Sequence, residues 1–436
     1  MSTALLTDRY ELTMLEAALR DGTATRPCVF DLFARRLAGG RRFGVVAGTG
    51  RLLSLLREFR FGDDELRFLR DERVVDAATV AFLADFRFRG SITGYREGEL
   101  YFPGSPVLTV TGTFADAVVL ETLALSVLNH DSAVATAAAR MSIAAGSRPL
   151  AEMGSRRAGE RSAVAAARSA YIAGFAATSN LEAGRVWGVP TMGTAAHAWT
   201  LLHDTEEDAF RAQIATLGLD TTLLVDTYDI ARGVETAIRV AGPGLGGVRI
   251  DSGDLPVVAR AVRAQLDALG ATGTRITVTS DLDEFAVAAL ASAPVDAYGV
   301  GTSVVTGSGT PTAGMVYKLV ARQDAGGSWT SVAKASADKV SKGGRKTAFR
   351  RLAGGVADAE VITAVAGYDE PDTSAAHPDS RGLQTPLVVA GEPDSAFEGA
   401  AGVAAARAHH AAVRAELPDA ALGLSRSDPA IPTLYV

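Results

Sequence analysis

The chain has 436 residues, a net charge of −7, and 47% hydrophobic against 21% charged residues, a balance that excludes a disordered chain and argues against nucleic acid as the main partner. A single cysteine, Cys28, excludes a disulfide framework and a multi-cysteine metal site. The opening MSTALLTDRYELT lacks the basic start and apolar core of a secretory leader, and the apolar run 115–139 carries charges that a bilayer would reject, so a soluble cytoplasmic protein with no membrane partner is expected.

Residues 7–20 read as a helix, with Leu12, Leu15 and Leu19 on one stripe and Thr7 or Asp8 as cap. CVFDLFARR (28–36) alternates as a strand, 51–86 is helical and amphipathic, and 86–114 holds short strands broken by Gly and Pro. A buried helix runs from 115 to 145. From Leu150 onward, strand-like runs end in polar or Gly-rich loops and are followed by helices: AGFAATSN, VPTMGTAAH, TTLLVDTYD, GVRIDSGD, RITVTSD and VDAYGVGTS each open such a unit. The segment 185–189 reads as a short apolar strand running into Pro190, a Gly-Thr turn and His197. This alternation predicts a parallel α/β domain, and the number of units favours a barrel. After residue 330 short strands return (331–340, KTAFRRL, EVITAVAG, TPLVVAGE), with a Pro/Asp/Ser-rich surface loop at 369–381 and a helix at 402–416. The expected zones are 1–114, 115–330 and 331–436.

In a parallel α/β domain the catalytic groups gather at the carboxyl ends of the strands. Those ends carry Ser179 and Asn180, His197, Asp226 and Asp229, Arg249 with Asp251 and Asp254, Ser280 and Asp281, then Gly299, Gly301, Thr302 and Ser303. Each has a structural alternative: Ser179, Asp254 and Asp281 suit helix N-caps, and Asp281 with Glu284 suits a capping box. Chance caps would not also bring His197 and Arg249 to the same end. Gly299-Val-Gly-Thr-Ser lets backbone N–H groups approach an anion. Asp251 and Asp281 suit ribose hydroxyls or the waters of Mg²⁺, and Arg249 offers a planar fork for phosphate. His197 beside Asp226 follows triad logic, the carboxylate fixing the tautomer and freeing the other nitrogen to attack. Arg156 and Arg157 are a further pair that can clamp an anion.

The segments LLTDRYELTM, FDLFARRL, EMGSRRAG, GFAATSNLEAG, VPTMGTAAHAW, LLVDTYDI, RIDSGDL, TSDLDE, YGVGTS and VYKL resemble, in this order, the nicotinate phosphoribosyltransferases. The resemblance implies an α/β fold made of an irregular parallel (β/α) barrel plus a mixed α/β lobe built from both chain ends. It implies a homodimer with shared active sites that makes nicotinate mononucleotide and pyrophosphate from nicotinate and phosphoribosyl pyrophosphate. ATP is the implied co-substrate, with Mg²⁺ as cofactor and a phosphohistidine at His197. It further implies that Asp226 orients His197, that Arg249 and Asp251 contact phosphoribosyl pyrophosphate, and that Asp281 and the Gly299–Gly301 loop, with Thr302, hold the ribose and 5′-phosphate. Asp8 and Tyr10 at the amino end are implied substrate contacts, Tyr10 from the partner stacking on the pyridine ring, and Arg35 reaches the pyrophosphate. Related nicotinamide-using enzymes carry Asp where Ser179 stands, so Ser179 with Arg156 and Arg157 favours the acid. Met153 stands where many members carry a stacking Phe, and His130 lies in a segment usually aromatic. The alternatives are a nicotinamide phosphoribosyltransferase and a non-catalytic phosphosugar-binding barrel; quinolinate enzymes share the architecture but match the GTAAHAW stretch less well.

Overall fold

The computed structural model describes residues 2–334, 342–365 and 379–436. It divides into two compact units, one of 1–136 with 310–436 and one of 137–309. The first boundary therefore lies at 136/137, where the sequence placed it at 114/115; the apolar run expected as one helix forms two, Phe114–Val118 and Glu121–Ala145, and the first of them and residues 121–136 of the second belong to the first unit. The second lies at 309/310 instead of 330/331, because the strand that opens at Met315 pairs within the first unit.

The first unit opens with a helix, Arg9–Asp21, which buries Leu12, Leu15 and Ala18. Its strands are β1 (Pro27–Ala34), β2 (Gly44–Val45), β3 (Ser91–Tyr95), β4 (Leu100–Tyr101) and β5 (Leu108–Thr113). The stretch expected to be one amphipathic helical zone is three helices, Thr49–Glu58, Asp63–Asp71 and Ala77–Ala84. At the start of the second, the Glu65 carboxylate accepts from the Gly62 N–H at 3.0 Å, and Asp76 caps the third by accepting from Thr79 N–H.

The second unit holds β6 (Leu150–Glu152), β7 (Ala177–Thr178), β8 (Thr222–Leu224), β9 (Gly247–Ile250), β10 (Arg275–Ser280) and β11 (Ala297–Val300). They form one sheet in the order β7-β6-β11-β10-β9-β8, every pair parallel. An isolated parallel bridge between Thr178 and Thr191 adds a further segment beside β7. Leu150, Leu223, Val248, Ile250, Ile276, Val278, Tyr298 and Val300 are all buried, as strands covered by helices require. The covering helices are amphipathic: Ile230–Ala241 buries Val234, Ala237 and Ile238, and Leu255–Ala268 buries Ala259, Val262 and Leu266. The residues 185–189 are not a strand. Arg185–Trp187 closes the helix Leu181–Trp187, and Gly188 ends it at φ 67, a left-handed conformation that glycine adopts without strain.

The remaining strands return to the first unit: β12 (Met315–Gln323), β13 (Trp329–Ser331), β14 (Arg345–Ala353), β15 (Val356–Val365), β16 (Ser380–Gly382), β17 (Gln384–Val389), β18 (Glu392–Pro393) and β19 (Thr433–Tyr435). A seven-stranded sheet runs β13-β12-β1-β5-β3-β17-β18, so the interior strand β1 is flanked by an early strand and a late one. A four-stranded sheet, β16-β14-β15-β19, and the pair β2-β4 complete this unit. Both chain ends thus build one lobe. The last α-helix is Gly399–Arg414. Most of the strand expected at 331–340, and of the loop expected at 369–381, lies outside the described residues. No helix among the described residues is long and apolar enough to cross a membrane.

Candidate active site

Strands β6, β7, β9, β10 and β11 deliver polar residues at or just past their carboxyl ends, and these line one cleft of about 630 Å³ within the second unit. β9 supplies Arg249 and, one step beyond its end, Asp251. β10 supplies Thr279, Ser280 and then Asp281, and β11 supplies Gly299 and, just past its end, Gly301 and Thr302. Arg156, Arg157 and Ser179 come from the loops after β6 and β7. The segment Met192–His197, which follows the bridge at Thr191, closes the lining.

His197 opens a short helix, His197–Leu202, and its side chain is 42% exposed, so the ring is open to a ligand. Its Nδ1 lies 3.1 Å from the Thr227 hydroxyl. Its Nε2 lies 4.0 Å from a carboxylate oxygen of Asp226 and 4.0 Å from one of Asp251. That is close enough for electrostatic attraction and too far for a hydrogen bond. The expected triad therefore takes a different form: Asp226 does not grip the imidazole, and Thr227 does.

Asp226 is engaged elsewhere. Its side chain is fully buried, and Oδ2 accepts from the Asp251 backbone N–H and from the Ser252 hydroxyl, both at 2.8 Å. It clasps the end of β9 from the end of β8, which fixes where Asp251 stands. Its other oxygen, Oδ1, is buried without a hydrogen-bond partner and faces the imidazole. An orphaned buried carboxylate oxygen is unfavourable unless a cation approaches it. Asp251 is held in turn by the Thr279 hydroxyl, which donates to Oδ1 at 2.6 Å, so Oδ2 is the oxygen that looks toward His197.

Arg249 donates to the Thr194 hydroxyl at 2.9 Å, while its Nε is buried without a partner. Burial pushes the guanidinium below its ordinary range, Asp251 and Asp226 oppose that, and Arg156 adds to it. A cationic group so placed gains from an arriving anion. Behind the cleft, burial raises the Glu152 carboxyl above its usual range, against hydrogen bonds from Thr178 and the Gly154 N–H. Thr178 donates to it at 2.5 Å.

Of the suggested caps, Asp254 is one, accepting from Val257 N–H. The caps near the other two are Asn180 and Asp283, which leaves Ser179 and Asp281 on the cleft wall. Asp229 likewise caps the helix that follows β8. Ser280 has φ 150, a conformation that side-chain-bearing residues rarely adopt. Such strain costs about 1–3 kcal/mol and clusters at sites whose function needs the geometry. Asp8 and Tyr10 stand at the start of the first helix and Arg35 just after β1; all three belong to the first unit and none lines the cleft. Sequence reading missed Thr194, Thr227 and Thr279, the hydroxyls that orient Arg249, His197 and Asp251. Their only signal was adjacency to the charged motifs. Among the described residues, no group of three His, Cys, Asp or Glu side chains is arranged to hold a metal ion by itself.

Comparison with known proteins bears on this arrangement. Residues 5–129 match the nicotinate phosphoribosyltransferase (NAPRTase) N-terminal domain family. The chain is 57% identical over 437 residues to nicotinate phosphoribosyltransferase pncB1 of Mycobacterium tuberculosis, covering 98% of this chain and 94% of that one. It is 33% identical to nicotinate phosphoribosyltransferase of Homo sapiens, over 80% of this chain and 77% of that one. The crystal structure of human nicotinic acid phosphoribosyltransferase superposes with a TM-score of 0.80 at 27% identity, covering 99% of this chain and 97% of the other. Identity of this depth, spread over nearly the full length of both chains and matched by the fold, places the chain in the nicotinate phosphoribosyltransferase family.

Proposed function

We propose that the protein transfers the phosphoribosyl group of phosphoribosyl pyrophosphate to nicotinate for salvage into NAD, and couples the transfer to ATP hydrolysis through a phosphohistidine at His197. The observation that carries this reading is an open imidazole, set between Asp226 and Asp251, on the wall of a cleft that also holds Arg249, Asp281 and the Gly299–Gly301 loop. In the transfer, the pyridine nitrogen of nicotinate bonds to C1′ of the ribose. The C1′–O bond breaks, and its electron pair leaves with pyrophosphate.

Arg249 and Asp251 are assigned to phosphoribosyl pyrophosphate, and Asp281, the glycine loop and Thr302 to the ribose and its 5′-phosphate. Ser179, Arg156 and Arg157 line the same cleft, and two guanidinium groups beside a hydroxyl favour a carboxylate over a carboxamide. In a homodimer the neighbouring copy would bring Tyr10 to the pyridine ring; Asp8 is assigned to substrate, and Arg35 to the pyrophosphate.

The donor set suits Mg²⁺, which takes one or two carboxylates and completes its shell with water and phosphate oxygens. Asp251 and Asp281 would hold it, and the partnerless Oδ1 of Asp226 adds negative potential nearby. Bound there, the ion supplies charge neutralisation to the pyrophosphate. This chain's own contribution is to hold the imidazole open, aim Asp251 through Asp226 and Thr279, and present Arg249 to the anion.

His197→Ala tests the coupling. The variant should lose ATP hydrolysis and keep a slow, ATP-independent formation of nicotinate mononucleotide. ATP consumption at the wild-type rate would overturn the role of His197.

A further inference from the structure

We propose that Thr227 is a positioning residue for the phosphorylation of His197: its hydroxyl occupies Nδ1, holds the ring in place, and so leaves Nε2 as the nitrogen that receives phosphate. The inference rests on the phosphohistidine reading above and deepens it. A neutral imidazole carries one N–H and one lone pair; a hydroxyl can pair with either form of Nδ1, so Thr227 fixes which nitrogen is occupied and how the ring is turned, and the Nδ1–H tautomer is the one that leaves Nε2 its lone pair. At His197 the only side chain within hydrogen-bond reach among the described contacts is Thr227, 3.1 Å from Nδ1. The two carboxylates, at 4.0 Å from Nε2, attract without fixing a proton.

Thr227 stands on a firm base. It follows Asp226, whose side chain is fully buried and tied to both Asp251 N–H and Ser252. Two residues later Asp229 caps the helix Ile230–Ala241. Thr227 does not itself line the cleft. It acts through the ring and not on the ligand.

A hydroxyl suits this position better than a carboxylate, because it can accept or donate. When Nε2 attacks, its lone pair bonds to the γ-phosphorus of ATP, and the bond from that phosphorus to the β,γ-bridging oxygen breaks. The electron pair leaves with ADP. The Nδ1 proton stays on the ring, which becomes cationic, and Thr227 continues to accept it while Asp226 and Asp251 balance the charge. Once that proton passes to water, the same hydroxyl rotates and donates to the bare Nδ1. A carboxylate could serve only the protonated ring.

The experiment uses the full chain with γ-phosphorus-32 ATP to time phosphoenzyme formation across pH, and phosphorus NMR to tell the two phosphohistidine isomers apart. The wild type should carry phosphate on Nε2. Thr227→Val should slow phosphoenzyme formation about tenfold, as loss of one orienting hydrogen bond implies, and should yield both isomers, with the KM for phosphoribosyl pyrophosphate unmoved. Thr227→Ser should restore rate, pH profile and isomer. Phosphate on Nδ1 of the wild type, or a Val variant with wild-type rate and pH profile, would overturn the role of Thr227 while leaving the phosphohistidine in place. A wild type that takes no label from ATP would overturn both.

Discussion

His197 meets a hydroxyl on one nitrogen and two carboxylates at 4.0 Å from the other, whereas sequence spacing suggested a direct pairing with Asp226. The spacing brought the right residues to one rim, since His197, Arg249, Asp251, Asp281, Gly299 and Gly301 all line the cleft. It did not reveal who bonds to whom. A contact of about 3 Å depends on loop geometry, and a threonine next to a charged residue carries no distinguishing pattern of its own. Ser179 is the residue on which substrate choice is argued. It lies on the cleft wall, and the backbone N–H that precedes its side chain is fixed to Glu152 O at 2.8 Å. An aspartate there would repel a carboxylate and accept from a carboxamide. Between the dielectric of water and that of a protein surface, such repulsion at about 4 Å is worth about 1–4 kcal/mol. Ser179→Asp should therefore lower the kcat/KM ratio of nicotinate to nicotinamide about tenfold, measured side by side; an unmoved ratio would end the selectivity argument.

Adjacent parallel strands set how tightly the rim is built. At Gly299 on β11 an added Cβ would stand 2.5 Å from Thr279 Cγ2 on β10 and 2.7 Å from Met153 Sδ. Thr279 is the residue that holds Asp251. Gly299→Ala should destabilise the fold by about 1–3 kcal/mol, as overpacking does, and should also raise the KM for phosphoribosyl pyrophosphate by displacing Asp251. Denaturant unfolding and steady-state kinetics on the same preparation check both halves. The sequence made β8 to β11 and their helices readable because apolar runs there end in Gly or Asp and resume at helical spacing. The helix ending at Trp187 was misread because Val186, Trp187 and Val189 form an apolar run too short to distinguish strand from helix by period. The three helices between Thr49 and Ala84 merged in the sequence because their breaks rest on caps at Gly62 and Asp76, local features inside an otherwise continuous amphipathic pattern.

Over the whole molecule, acid sensitivity follows from groups buried in the first unit. His410 is 2% exposed; its Nδ1 donates to Gly98 O at 2.9 Å and its Nε2 has no partner. Burial pushes its imidazole down to about 4, against the Gly98 hydrogen bond. A histidine depressed in the folded state binds its proton more readily when unfolded, so its contribution is complete above about 6.5 and is lost as pH falls toward 4. The loss amounts to about 3 kcal/mol at most. Burial raises Glu99 and Asp131, but His409 and Arg381 at the first and Arg51 and His130 at the second bring each down to about 2. Their contributions are present above the ordinary carboxylate range and disappear as pH falls toward 2. Denaturant midpoints should thus decline in two stages, and His410→Gln should flatten the stage between pH 6.5 and 4 whatever its absolute stability. A slope identical to wild type in that window would remove His410 from the account. Finally, β1 is completed by β12, a strand made only after all of 137–309 has been synthesised. As the polypeptide emerges from the ribosome, the parallel-sheet unit has its whole sequence first, while Pro27–Ala34 waits with one edge bare. Translation order alone makes that edge the place where a stalled or shortened chain would first aggregate.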